Sequence, residues 1–109
     1  MPIQSMSCSE LQKRLSETQD LQLLDVRTAE EYERLGHVPE ATLIPLTDLP
    51  YGYRMLDMDL PIAVICQHGV RSLHACHFLE SMGCSDLYNV TEGFVGWAGV
   101  VSKETAEKA

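Results

Sequence analysis

Basic residues are scarce in this chain. Its 109 residues include 8 Lys+Arg against 16 Asp+Glu, a net charge of −8, with no basic cluster. Phosphate neutralisation supplies most nucleic-acid affinity, so no nucleic-acid partner is expected. Long apolar runs are also missing. None approaches the ~20 residues that a membrane helix needs, so no membrane is expected either. The opening stretch, MPIQSMSCSELQKR, lacks the charged-then-apolar pattern of an export leader. The four cysteines, Cys8, Cys66, Cys76 and Cys84, form no C-x-x-C pair. These two absences lead us to expect a cytoplasmic, reducing setting in which each thiol is free and must be judged by its own surroundings. No repeat, low-complexity tract or internal linker divides the chain. Only Ser102–Ala109 (SKETAEKA) turns wholly polar, so one domain is expected over 1–101, with a polar tail over 102–109. At 45% hydrophobic residues, that domain needs neither disulfide nor metal to build a core.

What is present is an alternation of strand and helix signals. Pro2–Met6 reads as a short strand. Ser7 with Glu10 makes a capping box for a helix whose inner face holds Leu11 and Leu15. Leu21–Val26 reads as a buried strand. Thr28 with Glu31 opens a second helix that runs to about Leu35 and is stopped by Gly36. Ala41–Ile44 is a weak strand. Leu46–Leu60 is ambiguous, because Pro50 and Gly52 interrupt it. Pro61–Ile65 (PIAVI) is the clearest buried strand, and it runs straight into Cys66. Ser72–Met82 reads as a helix with Leu73, Cys76, Phe78, Leu79 and Met82 inward, and Gly83 ends it. Leu87–Val90 is a strand, and Glu92–Val101 a last helix with Phe94 and Trp97 on one side. Such alternation predicts α/β architecture with a mostly parallel sheet, whose sites form at the carboxyl ends of strands.

Cys66 stands at such an end, followed by Gln67-His68-Gly69-Val70-Arg71-Ser72. A short loop entering a helix can turn its amides inward, and Gly69 permits the positive φ or close approach this requires. The free N–H groups and partial positive charge of the helix start complete an anion cradle. A thiol at its rim ionises more easily than usual, and thiolate is the nucleophilic form. Arg71 is the only Lys or Arg between Met55 and Ser102, which suggests recognition of an anion.

This loop resembles the active-site loop of the rhodanese family of sulfurtransferases. Asp25-Val26-Arg27, Glu31-Tyr32, Gly36-His37-Val38, Ala41 and Ile44-Pro45-Leu46 resemble the family's first block. Cys66 to Ser72 resembles its catalytic block, and Asn89-Val90, Gly93 and Trp97 its closing block. The resemblance spans about Ser7 to Trp97. It implies a rhodanese-like α/β fold, with about five short strands flanked by helices on both faces. It further implies that Cys66 takes sulfur from a small anionic donor such as thiosulfate, with Gln67, His68, Gly69, Val70, Arg71 and Ser72 binding the substrate. The resulting persulfide would pass to cyanide or a thiol, a thioredoxin-like protein included, with no cofactor. Tyrosine-phosphatase-like proteins place five residues between Cys and Arg. Here there are four, a tighter loop suited to sulfur rather than to a phosphoryl group. Two glutamates depart from the pattern: Glu40, where the family often has glycine, and Glu92, in place of the first glycine of a common pair. Both turns require a negative φ to hold glutamate.

Blander readings stand beside these. A free cysteine is usually a small buried apolar residue, which is the expectation for Cys8, Cys76 and Cys84. Arg71 serves equally as an ion-pair partner or as a substrate ligand. The backbone N–H of His68 matters more than its ring. His74 and His77 match no zinc spacing, and no metal is expected. Asp25, Arg27 and Glu31 read as scaffold, with Asp25 accepting backbone hydrogen bonds and Arg27 pairing with Glu31. A non-catalytic interaction module or a protein sulfur-relay carrier on the same fold, or a phosphatase or arsenate reductase, are the alternatives.

Overall fold

The computed structural model describes residues 3–17 and 20–108, with side chains through Val100. Its strands are β1 (Gln4–Met6), β2 (Gln22–Asp25), β3 (Ala41–Leu43), β4 (Ile62–Ile65) and β5 (Leu87–Val90). Its helices are α1 (Cys8–Glu17), α2 (Ala29–Arg34), α3 (Leu49–Gly52), α4 (Val70–Ser81) and α5 (Gly93–Lys108). The sheet runs β1-β5-β4-β2-β3, and every neighbouring pair is parallel. Period-two alternation divides the central strands between two cores. Leu24, Ile62, Val64 and Leu87 face α3 and α4, where Leu49, Ala75, Cys76 and Leu79 meet them. Leu23, Ala63, Ile65 and Val90 face α1 and α5, where Leu11, Phe94 and Trp97 meet them.

Both capping boxes form. Glu10 and Ser7 exchange hydrogen bonds at the start of α1, and Thr28 and Glu31 do so at the start of α2. Gly36 follows α2 with φ +84, and Gly83 follows α4 with φ +103, conformations that side chains with a Cβ resist. The ambiguous stretch holds α3 between two 3-10 turns, Leu46–Asp48 and Tyr53–Met55. Pro50 lies in the first turn of α3, where its missing N–H is no loss.

Three readings need correction. Helix α4 begins at Val70 rather than Ser72, and its inward face is Ser72, Ala75, Cys76 and Leu79. Leu73 and Met82, expected inside, are exposed. Leu73 lies about 100° round the helix from Ser72, and Met82 follows Ser81, the last residue of α4. Helix α5 runs to Lys108, past the expected end at Val101 and through most of the expected polar tail. The first strand begins at Gln4, and Pro2 lies outside the described residues.

Candidate active site

The order in which strands are added reverses across the middle of the sheet. From β2 the chain crosses to β3 on one side, and from β4 it crosses to β5 on the other. In parallel sheets this reversal opens a crevice beyond the carboxyl ends of the two strands. Arg27 leaves β2 there and Cys66 leaves β4. Val26 N–H donates to the Ile65 carbonyl at 3.0 Å, which keeps the two exits side by side.

The Cys66 loop is shaped by the start of α5. Phe94 N–H donates to the Cys66 carbonyl at 2.8 Å, and Val95 N–H to the Gln67 carbonyl at 3.4 Å. The otherwise unpaired amides of one helix thus draw the loop's carbonyls to one side. The amides turn to the other. Gly69 N–H donates to the Cys66 sulfur at 3.1 Å, and Ser72 N–H at 3.2 Å. Ser72 is the third residue of α4, and Gly69, the residue before that helix, offers no side-chain cap. The sulfur therefore occupies the position of a capping oxygen. Two glycines make the close packing feasible. A Cβ on Gly69 (φ +92) would lie 2.4 Å from the Thr91 carbonyl oxygen. One on Gly93 (φ +67) would lie 2.3 Å from the Gln67 oxygen.

The remaining polar partner is Ser72. Its hydroxyl accepts from the Cys66 thiol at 3.3 Å and donates to Asn89 Oδ1 at 2.5 Å. Asn89 Nδ2 in turn donates to the Gly69 carbonyl at 3.1 Å. Sequence reasoning gave Asn89 a place in the closing block but no role at the sulfur. The available signal is its phase: Asn89 shares the inward face of β5 with Leu87, and a buried amide there requires partners.

The charged residues pair differently from expectation. Arg27 is wholly buried and binds Asp25 through Nε and Nη2, at 3.1 and 2.8 Å, not Glu31. Its other donors reach the Gly36 carbonyl and the Gln67 side chain, and its guanidinium lies 4.4 Å from the Phe94 ring centre. Asp25 also accepts the Arg27 backbone N–H at 3.0 Å. Glu31 instead takes Arg71 in a two-bond clasp of 2.6 and 2.8 Å. Arg71 is thereby committed to α2. His68 and Val70 are exposed at the rim.

All four cysteines are free and buried, yet their sulfurs differ. Burial raises the Cys66 thiol, but its hydrogen bond with the Ser72 side chain and those from the Ser72, Gly69 and His68 amides outweigh it, and the pKa falls below 9.0. Burial, with Glu92 nearby, pushes Cys8 up to about 12. Burial also pushes Cys76 up to about 12 and raises Cys84. Among the described residues no group of three or more His, Cys, Asp or Glu is placed to hold a metal ion. Nor is any helix there long and apolar enough to cross a membrane. A cavity of about 490 Å³ beside Leu15, His37 and Trp97 includes no residue of the Cys66 loop.

The family model for the rhodanese-like domain matches residues 7–99. The chain belongs to the rhodanese-like family. The Bacillus subtilis protein YtwF is 33% identical to this rhodanese-like chain over 99 residues, covering 91% of the chain and 94% of the relative. The thiosulfate sulfurtransferase GlpE of Shewanella oneidensis is 30% identical over 84 residues, covering 77% and 82%. Among solved structures, a rhodanese-like domain protein from Staphylococcus aureus superposes with a TM-score of 0.80 at 34% identity, covering 87% of this chain and 91% of the other. The two departures from the rhodanese pattern are accommodated locally. No described residue other than glycine has positive φ, so Glu40 and Glu92 are unstrained. Glu92 has acquired a contact of its own, accepting the Cys8 backbone N–H at 2.6 Å.

Proposed function

We propose that the chain is a sulfurtransferase that carries sulfane sulfur as a persulfide on Cys66. The observation behind this reading is the contrast among four buried thiols, of which, among the described residues, Cys66 alone has amide donors aimed at sulfur. The Cys66 thiolate attacks the outer sulfur of a small donor. A new S–S bond forms, the donor's S–S bond breaks, and with thiosulfate the electron pair leaves on sulfite. The enzyme then holds Cys66–S–S⁻. An acceptor thiolate or cyanide attacks the terminal sulfur and returns the Cys66 thiolate. Charge stays balanced in both steps, and no proton or cofactor is consumed.

Only 1% of Cys66 is exposed, which favours a compact donor. The name of the Shewanella relative makes thiosulfate the first donor to try. A thiol, small or on a thioredoxin-like protein, is the natural acceptor in a reducing cytoplasm. Arg71 then braces the loop through Glu31 more than it binds substrate. Incubation with thiosulfate should add about 32 Da at Cys66, and Cys66→Ser should abolish the gain. A folded protein that loads sulfur from no donor would point instead to a non-catalytic module.

A further inference from the structure

The Ser72 hydroxyl has one proton and two neighbours that want it. On one side is the Cys66 sulfur at 3.3 Å; on the other is Asn89 Oδ1 at 2.5 Å. The orientation of Asn89 is not free, because its Nδ2 is tied to the Gly69 carbonyl, so Oδ1 must face Ser72. In the described state the thiol donates to Ser72, which donates to Asn89. A thiolate cannot donate, so it draws the hydroxyl proton to itself and leaves Oδ1 without a donor in a buried site.

We propose that Asn89 is a positioning residue that governs the nucleophile through this proton: the Ser72 hydroxyl rests on Asn89 while the sulfur is neutral and turns onto it when the sulfur is charged. The role within the reaction rests on the persulfide reading above. As Cys66 attacks the donor, charge leaves its sulfur and the hydroxyl returns to Asn89. As the acceptor attacks, the S–S electron pair comes back to the Cys66 sulfur and the hydroxyl swings over to meet it. The two amides stay on the sulfur throughout, so the hydroxyl is the part that moves.

Other charged groups around Cys66 come from β2, α4, α2 and the loop. Asp25 and Arg27 lie at the end of β2. Arg71 and Cys76 lie on α4, both within the field of Cys66. Glu31 acts from α2 through Arg71, and the exposed His68 is on the loop itself. None of these changes in the variants below.

The test is the pH dependence of iodoacetamide alkylation at Cys66, located by peptide mass, for wild type, Ser72→Ala, Asn89→Leu and the double variant. Losing the hydroxyl should raise the midpoint by about one pH unit, the value of one hydrogen bond to a charged group. Losing Asn89 should lower it, because the hydroxyl is released to the sulfur. In the Ser72→Ala background, Asn89→Leu should then change nothing. If Asn89 merely braces Gly69, its loss would raise the midpoint equally in both backgrounds, and that result overturns the proposal. Should Asn89→Leu fail to fold, wild type and Ser72→Ala suffice. The Asn89 side-chain amide resonance should follow the Cys66 titration in wild type and not in Ser72→Ala; movement in neither, or equally in both, also overturns it. These readouts need no sulfur donor. Wild type that fails to load sulfur therefore sinks the persulfide reading separately.

Discussion

The cation that follows the nucleophile's loop is already held by a carboxylate. Glu31 clasps Arg71, and the Arg71 hydrogen bond holds the Glu31 carboxyl at about 2 against an ordinary 4.5. Because Glu31 ionises more easily in the folded chain, the pair stabilises fully above pH 4.5. Its contribution fades as pH falls toward 2. Both side chains are partly exposed, so the pair is worth only about 1 kcal/mol. Glu31→Gln keeps the capping box, since glutamine serves there as well. Urea unfolding should show the variant about 1 kcal/mol less stable at neutral pH, with the difference closing in acid. The same variant frees Arg71 beside the loop, so its KM for thiosulfate should drop. An unchanged KM would mean that Arg71 is structural whether paired or not.

At the scale of elements, the site is one loop pressed between two helix starts, α4 supplying amides to the sulfur and α5 drawing the carbonyls away. Gly93→Ala places a methyl against the Gln67 carbonyl at a positive φ. It should cost about 1–3 kcal/mol of stability by thermal or urea unfolding. It should also raise the alkylation midpoint of Cys66, since the amides lose their aim. This division explains what the sequence made legible. The strand PIAVI, the cysteine after it and Gly69 are neighbours in sequence, so the cradle could be read from local signals. Arg71–Glu31 joins residues forty apart, and Asn89 reaches Gly69 and Ser72 from another strand. No local spacing encodes such contacts. The Arg27–Glu31 expectation fails for a different reason: Asp25 is closer still in sequence, and its carboxylate meets the buried guanidinium at two donors, while Glu31 is taken by the distant Arg71. Leu73 and Met82 mislead because apolarity is no guarantee of inwardness: Ser72, a polar residue with a sulfur to serve, takes an inward position in the first turn of α4.

For the molecule as a whole, charge is the dominant feature. A chain of net charge −8 repels a doubly charged anion such as thiosulfate. Added salt screens that repulsion over about 10 Å at 0.1 M. The rate of sulfur loading at low donor concentration should therefore rise with inert salt and then level off. A falling rate would reveal a local positive field stronger than the global one. Long-range dependence in the fold has a further consequence, one for biosynthesis. Cys66 leaves the ribosome well before Phe94 and Val95, whose amides draw back the carbonyls of its loop. Until that later stretch emerges and docks, the nascent thiol lacks its aligned donors and behaves like any other cysteine. The depressed pKa of this thiol is thus a property of the folded domain, acquired only once nearly all of it has been made.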